Sequence, residues 1–438
     1  MIEGFFQRKA SWEILLKVSS GIYSDRAMSK VLSHYECSAL DKAFITELAF
    51  GCIRYRKLLD LWIDHTSKLT YDKQPPKLRW LLHIGLYQLI KMDRIPSAAA
   101  ISTTVEISKR SEISGLSGVV NGILRNAAKK IAMNDLPEIP VNDVDNISYK
   151  ESIPAWLVKE MIHWVGLDQA KIIAKSFNQK PSIDIRLNTL KTNISKSLFA
   201  FKQSGFDVKE IKGFANAFQL MSKPRSIQDL PGYKEGEWVI QDRSSQWIAP
   251  LLNSSVGDKI LDACSAPGSK TTHIAQLIQD QGEIWAVDKS EIRLKILQSN
   301  LDRLKIKSVK TLRADTLDLI SLRPEFTKYF DRILLDAPCS GIGTFSRNPD
   351  ARWSLSQNKI KELINLQEKL LTSIIPLLKK NGRLVYSTCT ICPGENNILI
   401  KKFLERNTNM KLVFEKQILP GSSAGGDGFY SAIIIFKD

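Results

Sequence analysis

The stretch "DKILDACSAPGSKTTHIAQLIQ", residues 258–279, decides the fold. Ile260 and Leu261 form a short apolar run that ends on Asp262, and Pro267 with Gly268 forces a tight turn behind it. "SKTTHIAQLIQ" then continues as a helix. Strand, turn and helix in that order are the repeating unit of a parallel α/β sheet. Downstream, "EIWAVDKS" predicts a second strand and "EIRLKILQSNLDRL" its helix. "VKTLRADT", "FDRILLDAPCS" and "GRLVYSTC" predict three more strands, with helices around 359–379 and from Glu395, then a late strand pair. Five strands separated by helices predict a doubly wound parallel sheet over residues 236–438. Such sheets bind ligands beyond the carboxyl ends of their strands. Asp262 to Lys270, Asp288, Asp315, Asp336 to Gly341, and Cys389 all fall there.

Upstream the pattern changes. Residues 1–133 predict an all-helical domain. In "KLRWLLHIGLYQLIKM" the apolar residues run nearly all round the helix, which places Trp80, Leu82, Leu86, Tyr87 and Ile90 at the centre of a bundle. Residues 134–152, polar and twice interrupted by proline, predict a linker. Residues 153–235 mix periods: "PAWLVKEMIHWVG" and "KSLFAFKQSG" are helical, while "SIDIRLNTL" and "FDVKEIK" alternate like strands. They predict a small α+β subdomain.

The chain has 438 residues with 62 Lys and Arg against 46 Asp and Glu, a net charge of +16. That excess favours a polyanionic partner, most simply nucleic acid. "RYRK" (Arg54 to Lys57), "SKR" (Ser108 to Arg110) and Lys129 with Lys130 are candidate phosphate contacts, with solvated helix faces as the plain alternative. Six cysteines are too sparse for a disulfide scaffold, no run reaches the length of a membrane span, and the N-terminus has no signal-peptide character. A cytoplasmic protein with no membrane partner is expected, and a monomer.

The turn "DACSAPGSKTTH" has neither the G-x-G-x-x-G fingerprint nor a P-loop, since Ser269 separates Gly268 from Lys270. Asp288 at the end of the second strand can accept hydrogen bonds from ribose hydroxyls. A loop without pyrophosphate-cradling glycines plus a ribose carboxylate suits a nucleoside cofactor without phosphates, S-adenosylmethionine being the obvious one. An inert turn is the alternative. "LLDAPCSGIGTFSRNPDARW" places Asp336 and Cys339 just past a buried run, with Pro338 between them.

"YSTCTICPGEN" (386–396) places Cys389 three residues before Cys392. A zinc site would need a second pair or nearby histidines, and His34, His65, His83, His163 and His273 show no ligand spacing, so no metal is expected. A redox pair of the thioredoxin type would open the helix after an early strand. A nucleophile fits better. Carbon 5 of cytosine is a poor nucleophile, but a thiolate added at carbon 6 makes it enamine-like, able to take a methyl group. Asp336 is placed to serve the pyrimidine's N3 and N4 edge, and a second cysteine could assist release. The base must leave its stack.

These motifs, with the tail "DGFYSAIIIF" and the lead-in "IQDRSSQWIAPLL", resemble the RNA cytosine-5 methyltransferases. The N-terminal region resembles the helical fold of the antitermination factor NusB, and the fusion is similar to the bacterial branch known as RsmB, Sun or Fmu. The resemblance implies a Rossmann-like core and S-adenosylmethionine-dependent methylation of 16S ribosomal RNA, free or in an early small-subunit assembly intermediate. It makes the helical domain RNA-binding. Residue by residue, it puts the nucleophile on Cys389 and release on Cys339. The cofactor loop falls on Cys264, Ser265, Ala266, Pro267, Gly268, Ser269 and Lys270, the ribose on Asp288, the adenine side on Asp315, and Asp336 between cofactor and base. Ser269 departs from the family's second glycine, and Cys392 falls where the family varies. Transfer RNA as substrate, or a non-catalytic RNA-binding assembly factor, are the rival readings.

Overall fold

In the computed structural model, which describes residues 3–222, 224, 226–422 and 425–437, the chain forms two compact units. One is Met1–Gln179 with Phe345–Ser354; the other is Lys180–Thr344 with Leu355–Asp438.

The first unit is helical: α1 (Phe5–Ser19), α2 (Ser24–Leu32), α3 (Ala39–Arg54), α4 (Arg56–Thr66), α5 (Pro76–Lys91), α6 (Ser97–Lys109), α7 (Ser117–Ala132), α8 (Asp143–Lys150), α9 (Ala155–Val165) and α10 (Leu167–Ser176). Helix α5 opens on Pro76, whose missing N–H costs nothing at a helix start. Being apolar nearly all round, it packs against α1, α3, α4, α6 and α7 with Trp80, Leu82, Leu86 and Tyr87 buried. Ile90 is only half-buried, because it lies in the last turn. The stretch read as a linker contains α8, started by the Asn142 side chain accepting from the Asp145 N–H. Its polar composition hides a helix that buries only Ile147 and Ser148.

Phe345–Ser354 is part of this unit although it lies between two segments of the other. Arg352 within it is fully buried and donates to the carbonyls of Arg54, Glu151, Ser152, Phe177 and Phe345 and to Asn178 Oδ1, at 3.1–3.4 Å. Burial pulls its pKa down to about 9. The guanidinium thereby satisfies carbonyls from several chain segments at once.

The second unit holds two sheets. The smaller is antiparallel, ordered β2 (Val208–Glu210), β3 (Ala217–Leu220), β1 (Ile183–Leu187), β4 (Trp238–Ile240). Period-2 alternation of β1 sends Ile185 and Leu187 into a core with Phe201, Phe218 and Trp238. Its other face carries Asp184, paired to Arg243 at 2.8 Å, and buried Arg186.

The larger sheet is built from β5 (Lys259–Asp262), β6 (Glu283–Asp288), β7 (Val309–Arg313), β8 (Phe330–Asp336), β9 (Leu378–Thr388), β10 (Met410–Ile418) and β11 (Phe429–Phe436), in the order β10-β11-β9-β8-β5-β6-β7. Strands β5 to β9 pair in parallel, and the late pair joins antiparallel beside β9. Both faces are buried: Leu261, Ile333, Leu335 and Leu384 pack on one side, Ile260, Leu334 and Val385 on the other. The chain winds outward from β5 one way and from β8 the other, so the switch point lies between their ends, at Asp262 and Asp336.

Candidate active site

The turn after β5 is shaped by a cis Ala266–Pro267 bond and by Gly268 at φ +100°. A Cβ at Gly268 would run into Leu297, so both the conformation and the space call for glycine. The helix Ser269–Leu277 begins there. Arg186 braces it from the small sheet, donating to the Ser269 carbonyl at 3.2 Å and Thr272 Oγ1 at 3.0 Å. Ser269 itself occupies the first helical position, half-buried.

Four carboxylates surround this turn. Asp262 is buried; Thr271 Oγ1 donates to one oxygen at 2.7 Å, and the other has no hydrogen-bond partner. Burial, with Asp336 and Asp288 nearby, pushes Asp262 up to about 7. Asp288 accepts from the Ser290 N–H at 2.8 Å and the Ala266 N–H at 3.3 Å, and Arg293 lies 3.4 Å away. Asp315 accepts from the Leu317 N–H at 3.0 Å, while the next residue, Thr316, donates to the Ala263 carbonyl. Asp336 takes Lys270 Nζ at 2.5 Å and Ser387 Oγ at 2.8 Å. Ser265 donates through its N–H and Oγ to the Val287 carbonyl at 2.9 and 3.1 Å, tying the turn to β6. Cys264 lies beside the acids, and burial pushes its thiol far up, which suits packing rather than attack.

Past β8, Pro338 leads to Cys339, and past β9 comes Cys389. Their sulfurs are 3.3 Å apart. Parallel pairing sets this closeness: Asp336 faces Ser387 in register, so each thiol lies two or three residues beyond the same rung. The Gly343 N–H donates to the Cys389 carbonyl at 3.1 Å, and its missing Cβ lets Gly428 approach. The Cys389 partner and burial raise the Cys339 pKa, keeping that group a thiol at neutral pH. Cys392 is buried, as a packing residue would be. Among the described residues no group of three or more His, Cys, Asp or Glu could hold a metal ion.

Reading the sequence for strand ends misses one residue. Glu395 is buried, accepts from the Ser340 N–H at 2.8 Å, Gln367 Nε2 at 2.9 Å and Ser340 Oγ, and so holds the Cys339 loop. Burial pushes its pKa up. The available signal is a lone acid six residues beyond Cys389, behind Pro393 and Gly394.

Residues 249–433 match the family described as 16S rRNA methyltransferase RsmB/F, residues 7–129 the NusB family, and residues 153–228 the ferredoxin-like domain of RsmF/B-like methyltransferases. A probable ribosomal RNA small subunit methyltransferase B from Synechocystis is 40% identical over 87% of this chain and 85% of its own. The ribosomal RNA small subunit methyltransferase B of Serratia proteamaculans is 34% identical over 90% of each. The crystal structure of PH0851 superposes with a TM-score of 0.84 at 25% identity, covering 99% of both chains. With its NusB-like and ferredoxin-like regions and its doubly wound core, this chain belongs to the RsmB/F family of rRNA methyltransferases.

Proposed function

We propose that this protein methylates carbon 5 of a specific cytosine in 16S ribosomal RNA, with S-adenosylmethionine as donor and a covalent cysteine adduct to the base. The observation that carries the reading is the pair of thiols 3.3 Å apart at the ends of β8 and β9, beside the Asp336 carboxylate. The kinship of the chain supports the coarser part, methylation of ribosomal RNA.

The donor fits the turn after β5. Asp288 and Asp336 both lie close enough to Asp262 to help burial raise it, so carboxylates gather at this turn and a sulfonium cation is electrostatically welcome there. Asp288 would hold the ribose, Asp315 the adenine side, and Cys264 to Lys270 the rest. The bound donor supplies the electrophilic methyl group.

Cys389 attacks carbon 6 as thiolate, forming an S–C bond while the carbon 5–carbon 6 electron pair moves into the ring. Asp336 accepts hydrogen bonds from the N4 amino group, and Lys270 beside it balances the growing negative charge. Once the methyl is in place, solvent water takes the carbon 5 proton, the carbon 5–carbon 6 double bond re-forms and the S–C bond breaks to release the Cys389 thiolate. Cys339, held as a thiol, gives that sulfur a proton, and solvent later returns a proton to Cys339. The protein acts in the cytoplasm, as a monomer, on free RNA or an early assembly intermediate. Among the described residues no helix is long and apolar enough to cross a membrane.

The test uses 16S transcript, transfer RNA and radiolabelled S-adenosylmethionine with wild type, Cys389→Ala and Cys339→Ala. Cys389→Ala should lose turnover and form no adduct, whereas Cys339→Ala should accumulate a denaturation-resistant protein–RNA complex. Methylation by Cys389→Ala would overturn the assignment. Label in transfer RNA alone would move the substrate, and label in no RNA with wild type would favour a non-catalytic assembly factor.

A further inference from the structure

The "RYRK" cluster separates once its partners are known. Arg54 donates to the Ser346 carbonyl at 3.1 Å, and Lys57 is tied to Ser148 Oγ and lies over the Tyr149 ring. Arg56 is different. Its guanidinium stands between two indoles, 5.4 Å from the Trp80 ring centre and 5.3 Å from that of Trp353, and it makes no ion pair or hydrogen bond among the described residues. It lines a cavity of about 450 Å³ within the helical unit, with Tyr23, Arg79, Trp80, Asp350 and Trp353.

The acids there are already engaged. Asp60 takes Arg79 at 2.5 and 2.7 Å and His83 at 2.9 Å. Asp350 accepts from the Ser24 N–H at 3.0 Å and Ser24 Oγ at 2.7 Å, so its charge serves the start of α2. Two guanidiniums and the Asp350 carboxylate therefore line the cavity, and of the three Arg56 alone has neither a hydrogen bond nor an ion pair among the described residues. Burial and then the nearby Arg79 push Arg56 below its ordinary pKa, against the pull of Asp60. Between the two indoles the guanidinium has N–H groups that no described residue accepts from, a donor edge suited to a bidentate acceptor. Tyr23, 60% exposed at the rim, offers a ring face to a base.

We propose that this cavity is a phosphate subsite for a single-stranded segment of the RNA, with Arg56 as the donor fork and Tyr23 as a stacking surface. The proposal rests on the RNA-substrate reading above. It gives Phe345–Ser354 a purpose, since Asp350 and Trp353 form one wall of the cavity.

The test is filter binding of 16S transcript by the full-length protein across a potassium chloride series. Arg56→Gln should weaken binding about tenfold and lower the slope of log K against log salt by roughly 0.7, the single-strand value for one phosphate contact. Cofactor affinity and the thermal midpoint should stay as in wild type. Arg56→Lys should keep the slope and recover part of the affinity, since it retains the charge without the fork. A folded Arg56→Gln with wild-type affinity and slope overturns the subsite. Should that variant not fold, cross-linking wild type to 4-thiouridine-substituted transcript decides: adducts on Tyr23 or Trp353 support the subsite, and adducts only elsewhere overturn it. Wild type that binds no RNA sinks the substrate reading and the subsite together, whereas wild type that binds beside an unaffected variant sinks the subsite alone.

Discussion

Lys270 Nζ lies 2.5 Å from Asp336 Oδ2, which fastens the first turn of the helix after β5 to the end of β8. Lys270 also stands 5.0 Å over the Phe429 ring, so its ammonium has little room to leave. Replacing it with methionine keeps the aliphatic stem and removes the charge beside Asp336. Turnover of Lys270→Met should fall about 100-fold or more, the usual cost of losing one preorganised electrostatic partner. RNA affinity should change little. Single-turnover methylation with RNA binding measured in parallel checks both.

The two thiols invite a chemical trap. Hydrogen peroxide oxidises one thiolate to a sulfenic acid, which condenses with the other thiol to give a disulfide and water. At 3.3 Å the sulfurs need close only a little to reach the disulfide length of about 2.05 Å. Peroxide should abolish activity, with a mass loss of two hydrogens linking the peptides of Cys339 and Cys389, and dithiothreitol should restore it. Recovery by dithiothreitol without that cross-link would mean the damage lies elsewhere.

Glu395 holds the Cys339 loop through Ser340. Glu395→Gln puts an amide where donors already point and leaves one of them facing another. A buried hydrogen bond to a charged group contributes about 1.5–3 kcal/mol, so release should slow by roughly tenfold to a hundredfold. The variant should trap RNA adduct as Cys339→Ala does, but more weakly; a gel assay of denatured complexes reads this directly.

Asp262 makes stability depend on pH. Its carboxyl titrates at about 7 in the fold against an ordinary value of 3.8. Between those values the native state holds a proton that the unfolded chain has lost, so stability falls as pH rises through that window. The whole effect is at most about 4 kcal/mol, at 1.36 kcal/mol per pH unit. Urea unfolding of wild type and Asp262→Asn at pH 5 and pH 8 should show wild type losing stability relative to the variant at the higher pH. A constant difference between them would mean that Asp262 does not titrate in this range.

The parallel core is legible because its chemistry is local. Each apolar run stops on an acidic residue, so Asp262, Asp288 and Asp336 announce strand ends before any strand is seen. Cys389 opposite Cys339 follows from two neighbouring parallel strands. Other features depend on partners far along the chain. Glu395 sits in an unremarkable position until Ser340 is known to face it. The helices at 155–176 share a unit with the bundle while β1 to β4 share one with the core, a division that no change of composition marks. Strands β2 and β4 have three residues each, too few for alternation to identify. Among the candidate phosphate contacts in "RYRK", Arg56 differs from its neighbours only through what they bind.

The excursion of Phe345–Ser354 into the helical unit makes the protein inseparable at the gene level. A cut after Gln179 would leave the methyltransferase half carrying ten residues that belong elsewhere, with Phe345 and Arg352 stripped of the carbonyls and rings that bury them. The other half would keep a vacant slot of the same shape. An exchange between relatives that keeps the contacts of Arg352 moves the two units together or grafts the ten-residue segment along with the helical one.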